Sequence, residues 1–462
     1  MAPGRTMMRQ ATSSYRPILC FLLALVVARG ALYSAIIPPW QVPDEPAQFE
    51  RTKAALTQAD WNSTSANGPG WYDELVKSLL RYRYWDFQWN RPRDKPYPAE
   101  SRLGDYIALY QEVYTGEVQY GSRPAYLLMG LPLLWAGSQD MAVQLYLVRL
   151  YMVLMNVAVV WLAYLTSRVV FPNDTFINLG VPILIALIPQ HTQALASVAS
   201  GNLAELLTTL ALYWLVGGII AGFSWPRLLA VLLVTIAAMW TKATAYFLVF
   251  VLGSVGILYV WSYRRWWRWM VPAALVLGGL VYYFAPSRLR LLLEAAWYLL
   301  RRGDFYLDPT IPVSIFRSFW ASPGLIMIRL HPFWYWTLFI ACLLAVGGLI
   351  VWLVSRRSVL FSAPFRPRLR ALLVMAIAIG AALSVMLGYS VVTKTNIYNQ
   401  GRSIYPVIVP IALFLMLGWR QLIPVRWRNF GLLGMTSLLF LFDALVMLDY
   451  AIPLFYSLRG VS

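Results

Sequence analysis

The stretch Arg16-Pro17-Ile18-Leu19-Cys20-Phe21-Leu22-Leu23-Ala24-Leu25-Val26-Val27-Ala28-Arg29-Gly30-Ala31-Leu32-Tyr33-Ser34-Ala35-Ile36-Ile37-Pro38 decides the fold class. Beyond its first residue it carries one charge, Arg29. A run of about 20 apolar residues in a helix matches a hydrocarbon core roughly 30 Å thick. Similar runs recur near 142–170, 175–190, 201–222, 226–241, 243–262, 267–285, 334–355, 369–391, 403–419 and 428–450. The chain therefore reads as an all-α polytopic membrane protein with about 11 transmembrane helices. Composition agrees, because 60% hydrophobic residues, 13% charged residues and a mean hydropathy of +0.59 exclude a soluble domain. Arg5, Arg9 and Arg16 ahead of the first run, with Ala31, Ser34 and Ala35 at its end, share features with a secretory leader. Arg29 interrupts that pattern and favours an uncleaved anchor.

Loop charges set the expected orientation. Cytoplasmic loops are enriched in Lys and Arg. Alternating the spans from a basic, cytoplasmic N-terminus puts Arg168, Arg227, Arg264-Arg265-Trp266-Trp267-Arg268, 356–370 and 420–428 inside. Segment 39–123 holds twelve of the twenty Asp and Glu residues and falls outside. Five units follow: 1–38 with the first helix, an outer loop 39–141, helices across 142–285, a second outer segment 286–333, and C-terminal helices across 334–462.

The first outer loop is too long for a plain connector. Stretches 46–58 and 73–85 carry helical spacing that suits helices on the membrane surface, separated by a Gly/Ser/Asn-rich turn at 62–70. The apolar run 124–137 is too short to span and reads as interfacial or re-entrant. In the second outer segment Arg288, Arg290, Arg301, Arg302, Arg317 and Arg329 oppose the positive-inside trend, which suits an anionic ligand.

Several classes drop out. The net charge of +18 lies in short loops mixed with Trp, which suits anionic membrane lipids and not nucleic acid. Cys20 and Cys342 lie inside spans without a metal or disulfide spacing. No Walker motif, dinucleotide glycine pattern, metalloprotease signature or internal repeat is present. Asn62-Ser63-Thr64 is a formal glycosylation sequon.

Among chemistry-bearing residues, Asp44 and Glu45 stand where the first helix leaves the bilayer. A carboxylate there suits a general base toward a hydroxyl or amine, and Asp44 also suits a helix cap before Pro46. Lys242, Lys394 and Arg402 lie near outer helix ends, where a cation either binds phosphate or snorkels to headgroups. Gly401 would let a phosphate approach the backbone. His191, one of two histidines, reads as a structural or substrate-contact residue. Asn202 and Glu205 open a span, a position suited to capping. Asp443, deep in the last span, marks a polar contact between helices, and Asp449 reads as interfacial.

Three motifs then carry a family resemblance. Ile37-Pro38-Pro39-Trp40-Gln41-Val42-Pro43-Asp44-Glu45-Pro46-Ala47-Gln48-Phe49 resembles the first outer loop of GT-C integral-membrane glycosyltransferases. It is most like the bacterial branch with a Pro-Asp-Glu-Pro-x-His-Phe motif, and similar to the Asp-Glu pair of protein O-mannosyltransferases. Ser318-Phe319-Trp320 and Gln400-Gly401-Arg402-Ser403-Ile404-Tyr405-Pro406 look like that branch's later motifs. Gln48 replaces a common His, Ala321-Ser322-Pro323 replaces a Gly-rich continuation, and Gly201-Asn202 replaces a frequent Asp-Asn pair.

The resemblance implies a GT-C-like fold in a bacterial plasma membrane, with an outward-facing active site. The implied reaction takes a sugar from a polyprenyl-phosphate donor to a glycan, lipid or protein acceptor. Asp44 would be the base, and Glu45 would orient the acceptor or share that role. Arg402, Lys394, Lys242 and Arg317 would bind the donor phosphate. Trp40, His191, Asn202, Trp320 and Tyr405 would line the substrate pocket, the tryptophans and Tyr405 being equally suited to interfacial anchoring. Relatives differ in divalent-metal use, and no ligand cluster is evident. A lipid-linked saccharide transporter or a noncatalytic subunit of a membrane complex remains the alternative.

Overall fold

The computed structural model describes residues 16–57, 71–87, 103–114, 122–137, 140–262, 310–324, 328–393 and 399–456. Helix α1 (Arg16–Ile36) is the first apolar run, and it ends where Pro38 and Pro39 withhold backbone donors. Next come α2 (Glu45–Thr57), α3 (Trp71–Arg81), α4 (Leu103–Tyr114) and α5 (Arg123–Met129). These short helices share a core of Trp40, Phe49, Leu75, Leu79, Trp85 and Tyr110, closed from below by Leu145, Val148 and Met152. They form a cap seated on the bundle. Helix α3 fits its amphipathic sequence, burying Leu75, Val76 and Leu79 while exposing Asp73, Glu74 and Lys77. Helix α2, by contrast, is enclosed along most of its length, so it is not laid on a surface as its sequence suggests.

The bundle begins with α6 (Met141–Val170), whose first turn is capped by Asp140 accepting from the Ala142 N–H at 2.8 Å. Helices α7 (Thr175–Leu187) and α8 (Pro189–Leu195) meet at 68°. Pro189 cannot donate to the preceding turn, so the expected span 175–190 breaks there and continues sideways. Then follow α9 (Ser200–Ala221), α10 (Trp225–Thr241) and α11 (Phe247–Ser262). The longer helices that remain are α12 (Thr310–Trp320), α13 (Pro332–Ser355), α14 (Arg366–Thr393), α15 (Ile408–Leu422) and α16 (Arg428–Leu445). Helix α16 runs on through a π-helical turn, Val446–Ala451.

Among the described residues seven helices are long and apolar enough to cross a membrane, eight if α7 and α8 count as one broken span. This is fewer than eleven for two reasons. Helix α10 and the adjoining helical stretch Ala243–Leu258 are shorter than the threshold length. The expected span 267–285, with segment 286–309, lies outside the described residues. No strand occurs among the described residues, so the polytopic all-helical class stands.

Helix contacts follow small residues and buried charge. A Cβ on Gly418 of α15 would overlap the Ala345 carbonyl of α13, and one on Gly348 would overlap the Gly418 carbonyl. The two backbones therefore touch, and the Trp419 indole N–H donates to the Ala341 carbonyl at 2.8 Å. Arg29 of α1 pairs with Asp443 of α16, Nη2 lying 2.5 Å from Oδ1, and the Tyr33 hydroxyl donates to the same oxygen at 2.8 Å. Asp443 is thus the interhelical contact its depth suggested. Arg29 thereby ties α1 to α16.

Removing one partner of a buried pair strands the other charge. Asp443→Ala should cost about 3–5 kcal/mol. Thermal unfolding in detergent should also show Arg29→Met/Asp443→Leu recovering most of the loss; no recovery would mean that the pair is not what binds these helices.

Candidate functional site

The site forms where regular helix stops. After α1 the chain enters a turn in which two non-glycine residues take left-handed backbone, Trp40 at φ 73° and Asp44 at φ 65°. Such conformations cost energy and persist only when their surroundings impose them. Trp40 is held by full burial, by its indole N–H donating to Ser78 Oγ at 3.0 Å and by the Phe49 ring edge. It is therefore a core residue of the cap and not part of a pocket wall.

Glu45 is also not at the surface. Neither it nor Arg149 has any side-chain exposure, and the two form a forked pair of 2.8 and 2.6 Å. The remaining Arg149 donors reach the carbonyls of Ser34, Ile37 and Pro38 at 2.9, 2.7 and 3.1 Å. All five guanidinium N–H groups are used. Glu45 Oε1 additionally accepts the Val198 N–H at 3.2 Å. In place of the acceptor-orienting or base-sharing role expected for it, Glu45 has a structural partner in Arg149. The sequence signal for Arg149 was an arginine set well inside the apolar run 142–170, whose other arginine, Arg168, stands at the end of the run.

Asp44 turns the other way. Its carbonyl accepts the Gln48 N–H at 2.9 Å, opening α2, while its carboxylate pairs with Arg402 Nη2 at 2.7 Å. The capping expectation holds for the backbone, and the side chain goes to the cation. Asp44 is 45% exposed at the side chain and Arg402 22%, so both reach solvent. Arg402 is aimed by Nε donating to Gln400 Oε1 at 2.7 Å and Nη1 to the Pro43 carbonyl at 3.3 Å.

Arg402 lies on a 3-10 stretch, Gly401–Val407, docked onto the end of α12. The Gly401 N–H donates to Ser318 Oγ at 2.8 Å, and a Cβ on Gly401 would collide with the Phe319 backbone. The glycine serves this close docking, where its sequence had suggested phosphate approach. The Tyr405 hydroxyl donates to the Phe319 carbonyl at 2.8 Å. The Ser-Phe-Trp and Gln-Gly-Arg motifs thus grip each other, and the Pro-Asp-Glu-Pro motif meets them through Asp44.

Between these parts lies a cleft with an empty volume of about 540 Å³, including its solvent-open mouth. Pro43, Gln190, Asn202, Glu205, Lys242, Arg402 and Tyr405 contribute to its wall. Lys242 stands in the turn after α10, close to Gly201. Burial first, then Arg402, lowers its pKa to about 8, against the pull of Asp44. Asn202 spends its amide on the Ser197 carbonyl at 2.7 Å, holding the turn ahead of α9. His191 is fully buried behind the wall, 2.6 Å from Glu205 through Nε2 and edge-on to the Tyr405 ring.

The other expected residues stand apart. Trp320 is 2% exposed and packs in the bundle core against Phe319. Arg317 lies over the Tyr335 ring, 5.3 Å from its centroid, outside the cleft wall. Lys394 falls outside the described residues. Among the described residues no three His, Cys, Asp or Glu side chains are grouped to hold a metal ion.

The adjacent acids separate in stability. Glu45→Gln, which leaves Arg149 buried without its counter-charge, should cost about 3–5 kcal/mol. Asp44→Asn, at a partly exposed pair, should cost about 0–1 kcal/mol. Paired thermal melts test this, and equal losses would refute the separation. Compared with known proteins, the chain matches no family model, no curated protein and no solved structure.

Proposed function

We propose that this protein is an integral-membrane glycosyltransferase of GT-C type. It would transfer a sugar from a polyprenyl-phosphate donor to an acceptor hydroxyl or amine at the outer membrane face. The observation that carries this reading is the partly exposed Asp44 carboxylate, ion-paired with Arg402 beside a cleft that also holds Lys242. A base and two cations at one cleft are the groups that displacement at a phosphate-activated anomeric carbon requires.

The donor phosphate would take the Arg402 fork in competition with Asp44, and Lys242 would add a second cation. Freed from Arg402, Asp44 accepts the acceptor's proton as the acceptor oxygen or nitrogen attacks the anomeric carbon. The bond from that carbon to the phosphate oxygen breaks, its electron pair leaves with the lipid phosphate, and the configuration inverts. Arg402 and Lys242 stabilise the departing charge. Glu45 stays outside this chemistry and fixes where Asp44 stands.

The test is transfer from radiolabelled polyprenyl-phosphate sugars to a membrane acceptor extract, with purified protein in lipid. Asp44→Asn should lower turnover about 10²–10⁴-fold while donor binding persists. Arg402→Ala should weaken donor binding itself. Full turnover in Asp44→Asn would end the assignment. Donor binding without transfer would favour a transporter or a noncatalytic subunit. The noncatalytic reading draws on Gln48, whose Oε1 is committed to the Ser200 N–H and the Tyr126 hydroxyl, both at 3.1 Å.

Lys242 gives a pH signature. With its pKa at about 8, its ammonium is present below that value and lost above it. Affinity for a polyprenyl monophosphate should therefore fall as pH rises, with a midpoint above about 8 because the bound anion favours the charged form. Binding titrations on either side of that pH should show the step in the native protein and a flat profile in Lys242→Gln. A step that survives the substitution would remove Lys242 from the phosphate site.

A further inference from the structure

One cleft carboxylate takes no part in the scheme above. Glu205 lines the same cleft as Lys242 and Arg402, one turn along α9 from Gly201. That separation is about 6 Å along the helix axis. Lys242 Nζ marks the Gly201 end, since a Cβ placed there would lie 3.1 Å from it. The cleft therefore has a cationic end and, one helical turn away, an acidic wall.

The two oxygens of Glu205 differ. Oε1 lies 2.6 Å from His191 Nε2, and the other oxygen has no hydrogen-bond partner among the described residues. His191 is fully buried, its Nδ1 is unpaired, and its ring is braced against Tyr405, whose hydroxyl is tied to the Phe319 carbonyl. With no acceptor for Nδ1 among the described residues, the tautomer that satisfies this contact carries its proton on Nε2 and donates to Glu205. A carboxylate pinned through one oxygen and open through the other is a preorganised acceptor for hydroxyl donors. It repels a phosphate, which directs that group to the Lys242 end.

We propose that Glu205, positioned by His191, recognises the hydroxyl groups of the glycosyl unit whose phosphate is held by Lys242 and Arg402. One helical turn matches the reach of a single sugar ring from its anomeric phosphate. This rests on the proposed donor class and adds a specificity residue to it. Glu205 contacts the sugar, and His191 acts through Glu205.

The test is binding in lipid nanodiscs of bare polyprenyl phosphate and of the same lipid phosphate carrying mannose, glucose, galactose or N-acetylglucosamine. The native protein should bind at least one glycosylated lipid about 10-fold or more tighter than the bare one, the scale of a hydrogen bond to a charged group. Glu205→Gln should remove most of that preference while bare-lipid binding holds or tightens, which also shows that the variant is folded. Glu205→Asp should keep part of it. His191→Gln should blunt discrimination among the sugars while bare-lipid binding persists. Equal weakening of bare and glycosylated lipids in Glu205→Gln, or no change in either, overturns the proposal. No sugar preference in the native protein overturns it while leaving the phosphate site standing. Failure of every lipid phosphate to bind overturns the proposed function, and this inference with it.

Discussion

The buried pair of Arg149 and Glu45 is the constraint on which the rest of the site depends. Arg149 rises from α6, takes the last carbonyls of α1, and holds the first residue of α2. Three separate pieces of chain, with the Val198 backbone as a fourth, are fixed to one side chain and its partner. An unpaired charge here would be intolerable, and the geometry that avoids it is narrow: a planar fork, two carboxylate oxygens and carbonyls in the guanidinium plane. The pair contributes a unique arrangement of cap on bundle more than it contributes net stability.

That arrangement explains why neighbouring acids have opposite fates. At the start of a helix, successive side chains point in well-separated directions. Once Glu45 is drawn inward to Arg149, Asp44 is left partly exposed and paired with Arg402, which lines the cleft. The left-handed backbone at Asp44 is what lets the chain turn sharply between the two, and Asp tolerates that conformation better than most residues. Arg402 then meets Asp44 because Gly401 allows the 3-10 stretch to press against the Phe319 backbone.

The sequence disclosed the features that depend on composition and length. Apolar runs, two of the cap's helical stretches and the depth of Asp443 could each be read locally, whereas the cap helix Leu103–Tyr114 was not. Features set by partners distant in the chain could not. The fate of Glu45 depends on Arg149, 104 positions away, and that of Trp40 on the hydroxyl of Ser78. Both residues sit in a motif whose neighbours suggested chemistry, and nothing local separates an exposed acid from a buried one. Arg149 itself gave a usable sign, a cation well inside a run where lipid would not tolerate it unpaired. The break at Pro189 was also written in the sequence, but the direction in which α8 departs is decided by packing. Gln190 accepts the Ser322 N–H at 2.7 Å, and Gln193 donates to the Gly324 carbonyl at 3.0 Å.

Those glutamines belong to a general solution. A cleft among membrane helices needs irregular backbone, and buried backbone N–H groups need acceptors. Here the acceptors are side chains: Glu45 for Val198, Gln48 for Ser200, Gln190 for Ser322 and Ser318 for Gly401. Each one closes a loop at a point where a helix has stopped, and each comes from a different part of the chain than the loop it serves. Glu45 and Gln48 are one turn apart on α2, so a single face of that helix receives both amides at the entry to α9. The cleft residues Asn202 and Glu205 lie just beyond, on the first turns of α9. The cap thereby sets the position of the cleft wall from outside the bundle, and the wall can carry polar groups because its backbone is already satisfied.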